Sequence, residues 1–143
     1  SEDGDTMVST DIIVGFPGEA DEDFEMTQAL LRRTRPDTVN VTRFSARFGT
    51  PAARMAERPH GRVAKARSRR ATELRFEVAR HRNERLVGRE VEALVSEKGK
   101  DGYICRTDSF RPVVLKENGV QIGRRLRLRL DRAAPIYCVG SAA

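Results

Sequence analysis

Apolar positions along this chain fall into two patterns, clustered runs in the first half and strict alternation in the second. Asp11-Ile12-Ile13-Val14 is a β-branched apolar run, which predicts a strand buried on both faces. Gly15-Phe16-Pro17-Gly18 ends it, because two glycines and a proline cannot continue a central strand. From Glu19 a helix is predicted, with Asp21, Glu22, Asp23 and Glu25 in its first turns and Arg32 and Arg33 in its last. Those charges complement the helix dipole, and Phe24, Ala29, Leu30 and Leu31 supply the apolar face. Arg35-Pro36 stops it, and Thr38 to Phe44 reads as a second strand with Val39, Val41 and Arg43 on one face. Strand, helix, strand in this compass is a βαβ unit of a parallel sheet, and one unit cannot cover both sheet faces. Neighbouring strands have to come from elsewhere.

After an irregular stretch from residue 45 to 60, a helix is predicted over 62–83, with Val63, Ala66, Ala71, Leu74 and Val78 along one stripe. From residue 84 the period shortens to two. Arg89 to Val95, Tyr103 to Thr107, Arg111 to Lys116, Arg125 to Asp131 and Pro135 to Val139 read as five strands, separated by turns at Lys98–Gly102 and Glu117–Gly119. In Arg125-Leu126-Arg127-Leu128-Arg129-Leu130 the leucines must face a core and the arginines must face out. Five short strands in this length predict a small closed barrel of OB-like character. The fold class expected is therefore α/β plus all-β.

Charge sharpens the division. The chain has 143 residues and a net charge of +6, yet residues 1–31 hold nine acids and no Lys or Arg. The other 112 residues carry all 27 bases and 12 acids, a net of +15, and 23 of the bases are Arg. Eleven bases against three acids between Arg58 and Arg89 make the long helix strongly basic. Such a balance suits a polyanion partner, and equally an Arg-rich solvated surface. Barrels of this kind bind single-stranded nucleic acid through a positive groove and exposed rings, for which Tyr103, Phe110 and Tyr137 qualify. No apolar run approaches the ~18 residues of a membrane span. Ser1 to Asp5 lacks the basic-then-apolar order of a signal peptide, so a soluble, cytoplasmic protein is expected. Cys105 and Cys138 are too far apart for a CxxC pair, so no metal site is expected within the chain.

Glycines at the carboxyl end of a strand permit close backbone approach where α/β proteins place ligands. The run Thr10-Asp11-Ile12-Ile13-Val14-Gly15-Phe16-Pro17-Gly18-Glu19 goes further, because it resembles the TDIIVGFPGET segment of the radical S-adenosylmethionine methylthiotransferases. Val39 to Ala53 is similar to that family's next strand and its R-P-G-T-P-A-A loop. Val87 to Gly99, Arg106 to Val114 and Tyr137 to Gly140 resemble its TRAM domain. The wording Asn40-Val41-Thr42-Arg43-Phe44-Ser45-Ala46-Arg47 is closest to the archaeal and eukaryotic branch, which modifies threonylcarbamoyladenosine next to the tRNA anticodon. Ala20 and Phe48 depart from the family, which usually has Thr and Pro there.

The resemblance implies the last βα elements of a radical SAM partial TIM barrel over 1–60, a basic linker helix over 61–83 and a TRAM RNA-binding domain over 84–143. It implies that Ile13, Val14, Gly15, Phe16, Gly18, Phe44 and Ser45 contribute to an S-adenosylmethionine pocket. It implies that Arg106, Phe110, Arg111, Arg127 and Arg129 grip the tRNA anticodon stem-loop. The family uses two 4Fe-4S clusters, one held by a Cys-x-x-x-Cys-x-x-Cys loop that this sequence does not contain. The expectation is a C-terminal piece of a longer enzyme, with no catalytic residue of its own, inactive alone and partnered by the missing N-terminal domains. A free-standing, non-catalytic RNA-binding module is the alternative.

Overall fold

A computed structural model describes residues 6–143; the acidic leading residues Ser1 to Asp5 lie outside the described residues. The chain divides into two compact units, Ser9–Val78 and a unit built on Ala79–Ala143.

In the first unit, strand β1 (Ser9–Val14) pairs in parallel with β2 (Thr38–Arg43), from Ser9 opposite Thr38 to Val14 opposite Arg43. Helix α1 (Asp21–Thr34) connects them, and a single turn, α2 (Pro51–Arg54), precedes the long helix α3 (Gly61–Glu84). The βαβ unit is as expected, but β1 is not buried on both faces. Val14 is buried in a core with Phe24 and Ala71, whereas Ile13 on the opposite face is 55% exposed. Leu31, Val39, Leu74 and Val78 continue that core, and Ile12 and Val41 join its two parts. Among the described residues one sheet face is covered by two helices and the other is exposed at Ile13.

Both helix stripes also differ from expectation. On α1 the buried residues are Phe24 and Leu31, with Thr27 and Gln28 half-buried between them, while Ala29 and Leu30 are exposed. A 3.6-residue period places 24, 27, 28 and 31 on one face and turns 29 and 30 away. On α3 the stripe is Ala64, Arg67, Ala71, Leu74 and Val78; Val63 and Ala66 are exposed. The expected residues lie one position out of phase at the N-terminal end, because Arg67 takes an interior position among ion-pair partners described below.

Helix α1 starts on Ala20, whose methyl group caps nothing, although the Asp23 carboxylate accepts from the Ala20 N–H at 2.8 Å. Half of a reciprocal cap is thus in place. Ala20→Thr should supply the other half and raise stability by about 1 kcal/mol, read as an increase in the denaturant midpoint at unchanged slope.

The second unit is a closed barrel in the order β3-β4-β5-β7-β6. Its strands are β3 (Glu90–Gly99), β4 (Gly102–Thr107), β5 (Pro112–Leu115), β6 (Arg125–Ala133) and β7 (Cys138–Ala142). All pairings are antiparallel except β5 with β7, so the barrel is mixed. Leu128 and Leu130 are fully buried with Val95, Cys105, Val113, Leu115 and Cys138, and Leu126 packs against them, as the alternation requires. The last strand lies three residues later than expected. Pro135 and Ile136 are exposed in the turn before it, and Gly140 sits within the strand. A Cβ on Gly140 would lie 2.9 Å from the Arg129 carbonyl oxygen and 3.0 Å from Val113 Cγ1. Close strand approach, not β propensity, selects that residue.

Candidate functional site

The loop after β1 is held by a compact polar network. Gly15 adopts φ +73°, and a Cβ there would meet Ala64 Cβ of α3 at 2.8 Å, so only glycine fits. The Gly15 N–H donates to Glu19 Oε1 at 2.9 Å. Arg67, only 7% exposed, donates through Nη1 to the same Glu19 oxygen at 2.5 Å and to the Glu19 carbonyl at 3.0 Å. Its Nη2 reaches Asp21 Oδ1 at 2.8 Å. Burial works against the charge on Arg67, but the hydrogen bonds to Asp21 and Glu19 outweigh it and hold its pKa above the ordinary value. The guanidinium carbon also lies 5.9 Å from the centre of the Phe24 ring. One interior cation therefore ties α3 to the loop and to the first turn of α1.

Beside this loop lies a cleft of about 650 Å³. The end of β2 and the residues following it form one wall, Val41 to Ala46; Gly15, Arg58, Pro59, Gly61, Ala64 and Ser68 form the rest. The Phe44 N–H donates to the Val14 carbonyl at 2.9 Å, which fixes the wall, and the Phe44 ring meets Phe16 edge-on at 5.1 Å.

On the barrel, the turn between β4 and β5 projects Phe110, which is 77% exposed at φ +66°. Arg106 Nη1 donates to the Phe110 carbonyl at 3.2 Å. On β6 the outward arginines face acids. Arg127 pairs with Glu90 at 2.8 Å, and Arg125 pairs with Asp108 at 2.9 Å and Glu92 at 3.8 Å. Arg129 lies opposite Glu90 in the ladder. These exposed pairs are worth no more than about 1 kcal/mol each, so they yield readily to a phosphate. Cys105 and Cys138 are interior residues of the barrel, and burial pushes both thiols up, with Arg111 partly opposing this at Cys138.

No family model matches the chain. It is 41% identical over 140 residues to the probable threonylcarbamoyladenosine tRNA methylthiotransferase of Archaeoglobus fulgidus, a match covering 97% of this chain and 32% of the relative. A relative of the same description from Methanocaldococcus jannaschii is 37% identical over 87% of this chain and 28% of its own length. The tRNA-2-methylthio-N(6)-dimethylallyladenosine synthase of Clavibacter michiganensis is 45% identical over 96% of this chain and 28% of its own length. The chain belongs to the tRNA methylthiotransferase family. It spans about a third of the length of these relatives. In shape, a chain of Mycoplasma genitalium RNase R overlaps 57% of it at TM-score 0.36 and 15% identity, too slight a likeness to carry an argument.

Of the seven residues expected at a cofactor pocket, three, Gly15, Phe44 and Ser45, line the cleft. Phe16 braces Phe44, Val14 lies in the core beneath, Ile13 points from the opposite sheet face, and Gly18 is exposed in the loop with its N–H on the Glu57 carbonyl at 2.6 Å. Of the barrel residues, Arg106, Phe110, Arg127 and Arg129 are exposed. Arg111 is 4% exposed and donates to Asn83 Oδ1 at 2.7 Å, while Asn83 Nδ2 donates to the Ala134 carbonyl at 2.8 Å. It anchors the end of α3 to the barrel and presents no guanidinium to solvent. Sequence reasoning reads Arg67, with Arg69 and Arg70, as a second-line RNA contact on a basic helix, whereas Arg67 is 7% exposed and held by Glu19 and Asp21; it misses the cleft residues Arg58 and Ser68. The available signal for Arg67 was a charge at a stripe position, four residues before Ala71.

Proposed function

We propose that this chain is the part of a radical S-adenosylmethionine tRNA methylthiotransferase that completes the cofactor pocket and holds the tRNA. The observation carrying this reading is 41% identity across 97% of the chain to a probable threonylcarbamoyladenosine tRNA methylthiotransferase. In this reading residues 1–60 are the last βα elements of the partial barrel, 61–83 a basic linker and 84–143 a TRAM domain. Threonylcarbamoyladenosine beside the anticodon is the base modified, as the wording from Asn40 to Arg47 favours.

The cleft suits an adenosine-bearing cofactor. Backbone at Gly15 and Gly61, the Phe44 ring and the Ser45 and Ser68 hydroxyls offer a base-stacking wall and polar contacts in one concavity. S-adenosylmethionine bound there supplies the methyl group and the radical precursor. Gly15 and Phe44 would shape its seat, and the Arg67–Glu19 pair would keep that seat fixed. The iron–sulfur clusters do not fit this chain. A cluster needs three or four thiolates converging on one point, whereas this chain has two cysteines, Cys105 and Cys138, both buried in the barrel, where burial pushes their pKa up. No group of three His, Cys, Asp or Glu that could hold a metal occurs among the described residues. In this reading the cluster ligands would come from outside the matched third of the relatives' length.

RNA contact is assigned to Arg106, Phe110, Arg127 and Arg129. Replacing Arg127 and Arg129 by Ala should weaken binding of an anticodon stem-loop. It should also flatten the salt dependence by about 0.7 log units per lost single-strand phosphate contact. An unchanged slope in a filter-binding titration would place the RNA surface elsewhere.

A further inference from the structure

Between β2 and α3 the chain carries an aromatic ring that its own unit does not use. Phe48 is fully exposed and makes no ring contact among the described residues, whereas Phe16 and Phe44 of the same unit meet each other. Its backbone is nevertheless fixed. The Thr50 N–H donates to the Arg47 carbonyl at 3.3 Å, and the Thr50 hydroxyl donates to the same oxygen at 2.8 Å. Gly49 adopts φ +82°, which with that backbone hydrogen bond marks a type II turn from Arg47 to Thr50. Thr50 then caps α2, its hydroxyl oxygen accepting from the Ala53 N–H at 3.3 Å. Arg58 Nη2 donates to the Ala53 carbonyl, and the Glu57 carbonyl accepts from the Gly18 N–H. Phe48 therefore sits at the second position of a turn within an anchored loop.

The turn itself does not call for a ring. Proline is favoured at this position, and the family usually has Pro there. A benzyl group held in water also forgoes the burial through which Phe stabilises a fold. Its surroundings suggest another use. The loop leaves the cleft wall at Ala46 and returns to it at Arg58, so Phe48 stands two residues beyond that wall. Between Arg43 and Arg62 five arginines stand against one acid, Glu57. Among the described residues no ion pair engages Arg43, Arg47 or Arg54.

We propose that Phe48 is a stacking platform for one unpaired base of the substrate RNA, beside the nucleotide whose base enters the cleft, with Arg47 on the adjoining phosphate. An exposed ring accepts the face of any base, and a ring on a fixed turn is ordered before the RNA arrives. The unpaired arginines around it favour a polyanion over an apolar protein surface. The inference rests on the reading of this chain as part of a tRNA-modifying enzyme, and it places a contact in the first unit, outside the barrel.

The test uses the 143-residue chain and an RNA hairpin carrying an anticodon stem-loop, followed by fluorescence anisotropy between 50 and 200 mM salt. Phe48→Pro removes the ring and suits the turn, so the melting temperature should hold or rise slightly while affinity falls about tenfold. Stacking releases no counterions, so the salt slope should stay as in wild type. The chain contains no Trp, so Phe48→Trp introduces a single indole that reports on this position alone. Its emission should be quenched by the hairpin and not by heparin, a polyanion without bases. Wild-type affinity in Phe48→Pro, with Arg127→Ala/Arg129→Ala still weakened, would overturn the stacking role and leave the RNA reading intact. Equal quenching by heparin would overturn it in favour of a general polyanion surface. A lower melting temperature for both Phe48→Pro and Phe48→Ala would overturn it by showing that the ring holds the loop. No binding of the hairpin by wild type would overturn both readings.

Discussion

Arg67→Ala should cost the chain about 3 kcal/mol or more of folding stability. The loss comes chiefly from Glu19, whose side chain is 11% exposed and whose carboxylate takes Arg67 as its interior counter-charge. Removing one partner of a buried pair leaves the other desolvated without compensation, which is far more damaging than losing a surface pair. The Asp21 arm contributes little, because that carboxylate is 86% exposed and recovers its water. Glu19→Gln in the Arg67→Ala background should therefore recover part of the loss, and a double-mutant cycle in urea measures how much. Additive effects of the two substitutions would show that Arg67 and Glu19 are not coupled. The same variant in a catalytically competent protein should lose more in S-adenosylmethionine affinity than Asp21→Ala, because the loop after β1 carries Gly15 into the cleft.

Gly102→Ala should be comparably severe, on the order of 3 kcal/mol, and confined to the barrel. Gly102 adopts φ +142°, and a Cβ there would fall 2.2 Å from the Leu115 carbonyl oxygen. That oxygen is backbone, so relief requires moving β5 away from β4 at the pairing of Tyr103 with Leu115. Gly99, facing Gly102 across the two-residue hairpin, has Ile104 side-chain atoms nearest its Cβ direction, the closest at 3.3 Å, and the Gly102 carbonyl oxygen at 3.6 Å, an ordinary contact distance. Gly99→Ala is the control and should change stability by much less. Equal melting temperatures for the two variants would show that β4 and β5 are not held at this spacing.

The parts of the fold that were legible in the sequence are those where one periodicity acts alone. Leu126, Leu128 and Leu130 announced the barrel because nothing but a half-buried strand alternates that way. The βαβ order was legible from its punctuation, Gly15 to Gly18 and Arg35-Pro36. The errors arise where tertiary partners override the local pattern. Ile12-Ile13-Val14 looks buried on both sides, but burial of Ile13 needs a neighbour that the pattern cannot name. Arg67 looks like one more base on a solvated helix; only the fold brings Glu19 and Asp21, nearly fifty residues away, to its guanidinium. Arg111 sits in a basic, turn-rich stretch that reads as surface, yet Asn83 draws it inside. The last strand was misplaced because Gly140-Ser141-Ala142 has low β propensity and is selected by close packing. The cleft shows the same division: Gly15 and Phe44 are visible in the motifs, while Arg58, Gly61 and Ser68 come from segments with no motif at all.

A chain that works within a tRNA-methylthiolating enzyme leaves a signature in cellular tRNA. The most direct measurement is mass spectrometry of tRNA nucleosides from a strain lacking the gene that encodes it, with and without the gene restored. In the deletion strain 2-methylthio-threonylcarbamoyladenosine should disappear and its unmodified precursor accumulate, and restoration should reverse both. An unchanged level of the methylthio nucleoside in the deletion strain would contradict that role.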